Sequence, residues 1–412
     1  MLLLLLLLLA AATTASGSPP TLWGAIRWDA FVNSSTDPAD PGSVTARVLS
    51  PPRWHDRLPW YTAFTPNVTF DDASPDTMDA EIALAVGAGL DHWAFDVYPP
   101  DSDLSSALAA YLASASPLKA SLFFCLLLQS SWMSSGGLPA WPAKVALYAQ
   151  HFARPEYRTV LGGRPLLYLF AVEEGAFGGG GGWRDWAAAL GALADASLAA
   201  GRGAPYTVLQ TWGAASGLAQ LQAINAAAAA AGRAQPLVHA LSSYALLGAT
   251  EAGTPFQAFA DGGEAVWDAL AGTGADVVVP VAAGWDPRPR NQTPVPWAPF
   301  QDPAFVVMPT PEELGAFVAR AKNWTEAHPL ANPARCHLIS AWKCVGCCCV
   351  CVRARARLGR PSAHCTLTPP PPPLLPHSEY DEGHFIGAVL PQFGGNARLE
   401  AIGKVLNPQG AQ

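Results

Sequence analysis

S-P-D-T-M-D-A-E-I-A-L-A-V-G-A-G-L-D-H-W-A-F-D-V-Y, Ser74 to Tyr98, holds one repeat unit of the fold. Its first part, Met78–Gly87, is Ala- and Leu-rich and has acidic residues around its opening turn, as a helix start prefers. Its second part, His92–Val97, is a short apolar run with aromatic and β-branched residues, the composition of a buried strand. Comparable runs recur at Trp23–Trp28, Ser121–Leu128, Pro165–Phe170, Tyr206–Thr211, Val238–Ser243, Val277–Ala282 and His337–Trp342. Helical stretches separate them, among them Trp186–Ala199 and Pro311–Trp324. Eight strands alternating with helices predict an α/β architecture, a closed (β/α)8 TIM barrel of parallel strands. An open doubly wound sheet is the competing reading. Against it, no glycine-rich phosphate loop follows the first run.

Composition narrows the partners. Half of the 412 residues are hydrophobic, enough for a sizeable core, and the formal net charge is −8. That balance argues against a nucleic-acid-binding surface. The chain opens M-L-L-L-L-L-L-L-L-A-A-A-T-T-A-S-G-S, an apolar run followed by small residues. This is the pattern of a secretory signal peptide over residues 1–18, although its start carries no Lys or Arg. The run is shorter than the roughly 20 residues a membrane span needs, and no later segment reaches that length. Secretion is therefore expected, and the N-x-S/T tripeptides at Asn33, Asn67, Asn291 and Asn323 suit glycosylation on that route. Pro294 weakens the one at Asn291. Cys125 and Cys336 lie in apolar strand runs and read as buried free thiols, so this is not a disulfide scaffold.

Most of the remaining cysteines crowd into K-C-V-G-C-C-C-V-C, Lys343 to Cys351, followed by Arg353–Arg360 (R-A-R-A-R-L-G-R) and Pro369–Pro373. Three consecutive cysteines match no common zinc geometry. The codons offer a different account. Lys343 as AAG followed by TGY and GTN contains AA and then GTGYGT, an acceptable intron donor. P-P-P-P-P-L-L-P-H-S can be encoded by a pyrimidine-rich tract ending CAC AGC, an acceptor. Joining AA to C gives AAC, an asparagine. On this reading 343–378 is a translated intron inside a barrel domain that runs from 22 to 412. The spliced chain would read L-I-S-A-W-N-E-Y-D-E-G-H-F-I.

A (β/α)8 barrel carries its chemistry at the C-terminal ends of its strands. Those positions hold Asp29, Asp96 and Tyr98, Gln129 and Trp132, Glu173 and Glu174, Trp212, Tyr244, Trp285, Asp286, Arg288 and Arg290, then Glu379, Asp381 and Glu382. The set is acidic and aromatic. Aromatic faces stack on sugar rings, and carboxylates bind hydroxyls and move protons, whereas a nucleotide site would want glycines and lysines. Asp29, Asp96, Trp212, Tyr244, Trp285, Asp286 and Arg288 are the candidate substrate contacts. Each has a plainer reading. The aspartates can cap helices or pair with arginines, and the aromatics can belong to the core. His92 and His239 sit in strands and read as core histidines. No metal or organic cofactor is expected.

The restored W-N-E-Y-D-E-G-H-F resembles the W-N-E-x-x-E-G signature of the glycoside hydrolase family 99 and 71-like superfamily, which includes endo-α-mannosidases and WbsX-type proteins of polysaccharide clusters. L-W-G-A-I-R-W-D-A-F, L-P-W-Y-T-A-F, A-G-L-D-H-W-A-F-D-V-Y, L-G-G-R-P-L-L-Y-L-F and A-A-G-W-D-P-R-P-R are similar to an uncharacterised branch of it. The resemblance implies a (β/α)8 glycosidase acting on an oligo- or polysaccharide. It gives Glu379 the part of general base, deprotonating the sugar 2-hydroxyl for internal attack through an anhydro-sugar. Glu382 becomes the general acid for the leaving oxygen. Two carboxylates with separated pKa values are what glycosidic cleavage needs. The asparagine that should precede Glu379 is missing from the chain as it stands. Two other expectations compete: a barrel that binds carbohydrate without turnover, and a glycosyltransferase of polysaccharide assembly.

Overall fold

In the computed structural model the described residues are 20–28, 30–32, 41–64, 67–70, 74–100, 102–246, 248–294, 303–340 and 397–408. The strands are β1 (Leu22–Arg27), β2 (Thr62–Phe64), β3 (Val68–Phe70), β4 (His92–Val97), β5 (Phe123–Gln129), β6 (Thr159–Val160), β7 (Arg164–Phe170), β8 (Tyr206–Gln210), β9 (Ala240–Ser242), β10 (Asp276–Val277), β11 (Val279–Ala282) and β12 (Cys336–Ser340). Pairing runs β10-β9-β8-β7-β5-β4-β1-β12-β11 and is parallel throughout this path. β10 and β11 are two halves of one extended segment. The first half pairs with β9 and the second with β12, and Val278 N–H donates to the Leu241 carbonyl at 3.0 Å. The sheet therefore returns on itself as the expected (β/α)8 barrel, and its eight staves coincide with the eight apolar runs to within a few residues at each end.

Register assigns the faces. Gly24 pairs with His92 and Leu338, Ile26 with Ala94, Asp96 with Leu127, and Val208 with Tyr168 and Ala240. These residues point into the barrel, and their neighbours in sequence point to the helices. Gly24 is required there, because a Cβ would lie 2.1 Å from Nε2 of the buried His92 ring. Cys125 and Cys336 are buried free thiols on the same inner face, and burial pushes the Cys336 thiol up to about 12. On the outer face Trp93 packs edge-on, and Phe95 at a tilt, against Tyr111 of the helix Ser106–Ala113.

The helices start where local chemistry lets them. Ser74 accepts the Thr77 N–H at 3.1 Å, with Pro75 in the first turn of the helix Pro75–Gly87. Thr310 and Glu313 form a reciprocal capping box for the helix Pro311–Ala327. The last described helix, Ala397–Leu406, buries Leu399 and Ile402 against the barrel's helical layer. It approaches Gly315 on one side and Ala88 on the other, where a Cβ on Gly403 would sit 3.3 Å from the Ala88 Cα. It thus covers the seam where β12 meets β1.

One buried ion pair ties β1 to its helix. Arg27 meets Glu81 at 3.0 Å with neither side chain exposed, and its guanidinium stacks over the Trp93 ring at 4.3 Å. Breaking such a pair leaves a buried charge without its partner. Glu81→Ala is expected to lower unfolding free energy by about 3–5 kcal/mol, while the double change Arg27→Met with Glu81→Leu is expected to recover most of that loss in chemical denaturation.

The histidines set an acid limit. Burial pushes His151, His239 and His337 each down to about 4. His337 stacks on Trp23 at 3.9 Å and meets the Ala321 carbonyl and the Thr325 hydroxyl through Nε2. Between about pH 6.5 and 4 the unfolded chain binds more protons than the folded one, so stability falls as pH falls through that window. Each such histidine contributes up to roughly 1.4 kcal/mol per pH unit there. Denaturation midpoints measured from pH 7 to pH 4.5 should decline steeply, and His337→Gln should flatten the decline while lowering the pH 7 value.

Candidate functional site

The C-terminal ends of β4, β5, β7, β8 and β9 converge on one polar and aromatic cluster. Asp96 and Gln129 are the last inward-facing residues of β4 and β5, and Tyr98, Trp28 and Tyr244 follow β4, β1 and β9. Tyr98 Oη accepts the Trp28 indole N–H at 2.5 Å and Gln129 Nε2–H at 2.8 Å. Asp96 Oδ2 accepts the Tyr244 hydroxyl at 3.2 Å, with Gln129 Nε2 at 3.5 Å. The Tyr244 ring stacks on Phe170 at 4.2 Å, and Trp212 stands edge-on to Phe170 at 5.8 Å. Trp28, Asp96, Tyr98, Gln129 and Tyr244 are all buried, whereas Trp212 is half-buried. Two expected contacts, Asp96 and Tyr244, are therefore bonded to each other across the barrel, and Trp212 belongs to the same aromatic group.

Asp286 and Arg288 form a second cluster. Asp286 is fully buried. Its Oδ1 accepts Arg288 Nε–H at 2.7 Å, and its Oδ2 accepts Arg288 Nη2–H at 2.8 Å and Arg57 Nη2–H at 3.0 Å. Both oxygens are thus engaged by guanidinium groups, and a sugar hydroxyl would have to displace one. Arg288 also lies over the Phe305 ring at 3.5 Å, and Asp286 bonding holds its pKa above the usual value. Trp54 donates to Gln292 at 3.0 Å. Together with the Arg57–Asp286 pair, this docks the segment Pro52–Arg57 and the β2–β3 hairpin behind it onto the loop that follows β11. Trp285 is half-buried against the hydrophobic core.

The short helix Ser130–Ser134 after β5 is held by Lys144. Its ammonium meets the carbonyls of Trp132, Met133 and Ser135 and the Ser135 hydroxyl beneath the Trp132 ring at 4.2 Å, and burial pushes its pKa down to about 8. Glu173 and Glu174 are exposed. Asn67 and Asn323 are exposed and Asn291 is half-buried. Asp29, Asn33, Glu379, Asp381 and Glu382 lie outside the described residues, as do the signal sequence 1–18 and the segment 343–378.

Four contributors were not singled out from sequence: Trp28, Phe170, Gln210 and Ser242. Gln210 and Ser242 pair in register at the ends of β8 and β9 and are buried. T-V-L-Q ends in a polar residue after an apolar run, as L-L-L-Q does at Gln129, and that shared pattern was the available signal. A small apolar crevice lined by Leu167, Leu190, Leu193 and Leu237 lies outside the barrel and holds no titratable group. Among the described residues, no group of three or more His, Cys, Asp or Glu is placed to hold a metal ion, and no helix is long and apolar enough to cross a membrane.

No protein-family model matches the chain, and no curated protein matches it. Solved structures do. The endo-α-mannosidase of glycoside hydrolase family 99 from Bacteroides thetaiotaomicron, in complex with bis-tris propane, is 11% identical with a TM-score of 0.45, covering 77% of this chain and 82% of that one. Another structure of that enzyme is 11% identical with a TM-score of 0.41, covering 69% and 70%. The tri-modular endo-β-1,4-glucanase B from Bacillus halodurans is 10% identical with a TM-score of 0.36, covering 64% of this chain and 51% of that one.

Tyr244→Phe keeps the Phe170 stack and removes only the hydroxyl that Asp96 accepts. The variant is expected to lose about 1–3 kcal/mol of stability, read as a lower denaturation midpoint with an unchanged m-value.

Proposed function

We propose that the protein is a secreted glycosidase-type barrel that cleaves a glycosidic bond with Glu379 and Glu382 as its acid–base pair. The observation that supports the reading is the barrel itself, with Asp96, Gln129 and Tyr244 gathered at the C-terminal ends of its strands. β12 ends at Ser340, and in the spliced sequence Trp342, Glu379 and Glu382 would come directly after that strand, the part of the chain from which a barrel draws its catalytic groups. Among the described residues the mouth cluster offers a carboxylate, a carboxamide, phenols and indoles, and no lysine or glycine-rich loop joins it. That chemistry suits neutral polyhydroxyl ligands better than phosphates. Glu379 would take the proton of a sugar 2-hydroxyl, and Glu382 would deliver one to the leaving oxygen. A spacing of three on a turn brings both carboxylates to one side.

A second reading rests on the segment 343–378. It lies between β12 and both glutamates, so the chain as it stands separates them from the rim. Catalytic groups need to be held to within about 0.5 Å of productive geometry. On this reading the long form is a barrel that binds carbohydrate without turnover.

The test compares the chain as it stands with one in which Asn joins Trp342 to Glu379, on mannans and a panel of glycosides. Turnover is expected from the joined chain. Glu382→Gln should reduce it by roughly 10²–10⁴-fold on substrates with poor leaving groups, the range a general acid supplies. Undiminished turnover in Glu382→Gln would remove that residue from the acid role. Sequencing the transcript across Trp342–Glu379 decides which form the cell makes.

A further inference from the structure

Buried polar groups are nearly always hydrogen-bonded, so a buried side chain with none calls for an explanation such as a bound water or a ligand. Gln210 is 3% exposed and Ser242 is 0% exposed, and neither Nε2 and Oε1 of Gln210 nor Oγ of Ser242 has a hydrogen-bond partner within the protein. The two are register partners on adjacent parallel strands. Both lie on the inner face, two positions beyond Val208 and Ala240, which point into the barrel. They are the terminal residues of β8 and β9, so they sit at the end of the barrel where Asp96, Gln129 and Tyr244 form their network. Tyr244, two residues past Ser242, joins the two groups.

From this geometry we infer that Gln210 and Ser242 form a hydroxyl-recognition subsite for a neutral saccharide. A carboxamide supplies an acceptor and two donors, and a hydroxyl supplies both roles, which complements adjacent hydroxyls of a sugar ring. Neighbouring strands stand about 4.8 Å apart, so the two side chains reach adjacent groups of one ligand rather than two separate ligands. The Phe170–Tyr244 stack supplies an apolar face beside them. Neither side chain carries charge, so the pair suits a neutral ligand group better than a phosphate or carboxylate. The inference rests on the glycosidase-type reading for its ligand class, but it concerns binding and needs no turnover.

The energetics give a readout that a purely structural role would not move. An unpartnered buried polar atom destabilises the free protein, and an apolar group of similar shape relieves that cost. A site that sacrifices stability for recognition therefore gains stability when it is filled by carbon and loses its ligand. The experiment is thermal unfolding of the full chain, alone and with about 100 mM D-mannose, D-glucose or D-galactose, a concentration at which millimolar binding gives a measurable upward shift. At least one sugar is expected to raise the Tm of the parent chain. Gln210→Leu and Ser242→Ala are expected to melt at the same or a higher temperature without sugar. The sugar-induced shift should fall to the level of at least ten-fold weaker binding. Ser242→Ala removes a single atom and guards against a Gln210 variant that does not fold. Lower Tm without sugar together with an undiminished sugar shift would overturn the inference, because the two groups would then be serving an internal water. A parent chain whose Tm no sugar moves would overturn it as well. Failure of the catalytic reading looks different: Glu382→Gln would leave turnover unchanged while the sugar-induced Tm shift persisted in parent and Glu382→Gln chains alike.

Discussion

Everything else in this molecule depends on the strand ring closing between β9 and β12. Parallel strands buried on both faces leave no room for an exposed edge, and an open edge here would leave a row of backbone groups without partners. The closing stave is the segment 276–282, and it does not follow one neighbour along its length. It serves β9 first and β12 second, changing partner around Val278. β9 itself is only three residues long. The ring closes at its weakest stave, and outside packing compensates: the Trp267 indole donates to the Pro280 carbonyl at 2.7 Å, and Trp267 stacks on Phe317 at 5.3 Å. The opposite side, at β1, is held by the Arg27–Glu81 pair and by Ala397–Leu406 laid over the seam.

The staves were readable because a parallel strand buried on both faces needs a continuous apolar run, and short runs punctuated by helices have few other uses. H-W-A-F-D-V was placed to the residue. The split in 276–282 was not readable, since D-V-V-V-P-V-A is apolar from Val277 onward and nothing in that run marks a change of partner. The β2–β3 hairpin was missed for a related reason. L-P-W-Y-T-A-F is short and its companion V-T-F has three residues, so neither shows a period long enough to count.

The site shows the same division between local and long-range information. Asp96 and Tyr244 could each be named from position after a strand, because that rule uses only local sequence. Their bond spans 148 residues and belongs to the closed ring. Asp286 could also be named, but its partner Arg57 lies 229 residues away in the loop that follows β1. The fold converts a carboxylate that sequence offers as a hydroxyl ligand into the anchor of a loop–loop contact. Asp96 accepts the Tyr244 phenol in the barrel mouth, whereas Asp286 is held by the guanidinium groups of Arg57 and Arg288. The two aspartates therefore differ in what they could give a neutral ligand, a difference created by tertiary structure alone.

The position of the segment 343–378 follows the same logic. It enters after β12 has completed its pairing with β1 and β11, so the backbone hydrogen bonds of the ring do not depend on it. Lengthening a flexible connection costs little entropy in general, about 0.6 kcal/mol for each doubling of length. On the reading proposed above chemistry is more sensitive, because in sequence the two glutamates come after this segment, between β12 and the docked helix Ala397–Leu406. A barrel tolerates change in the loops after its strands for the reason that it also puts function there: those loops carry little of the fold. An insertion at this point can leave the strand ring whole and still part the carboxylates from the mouth they would serve.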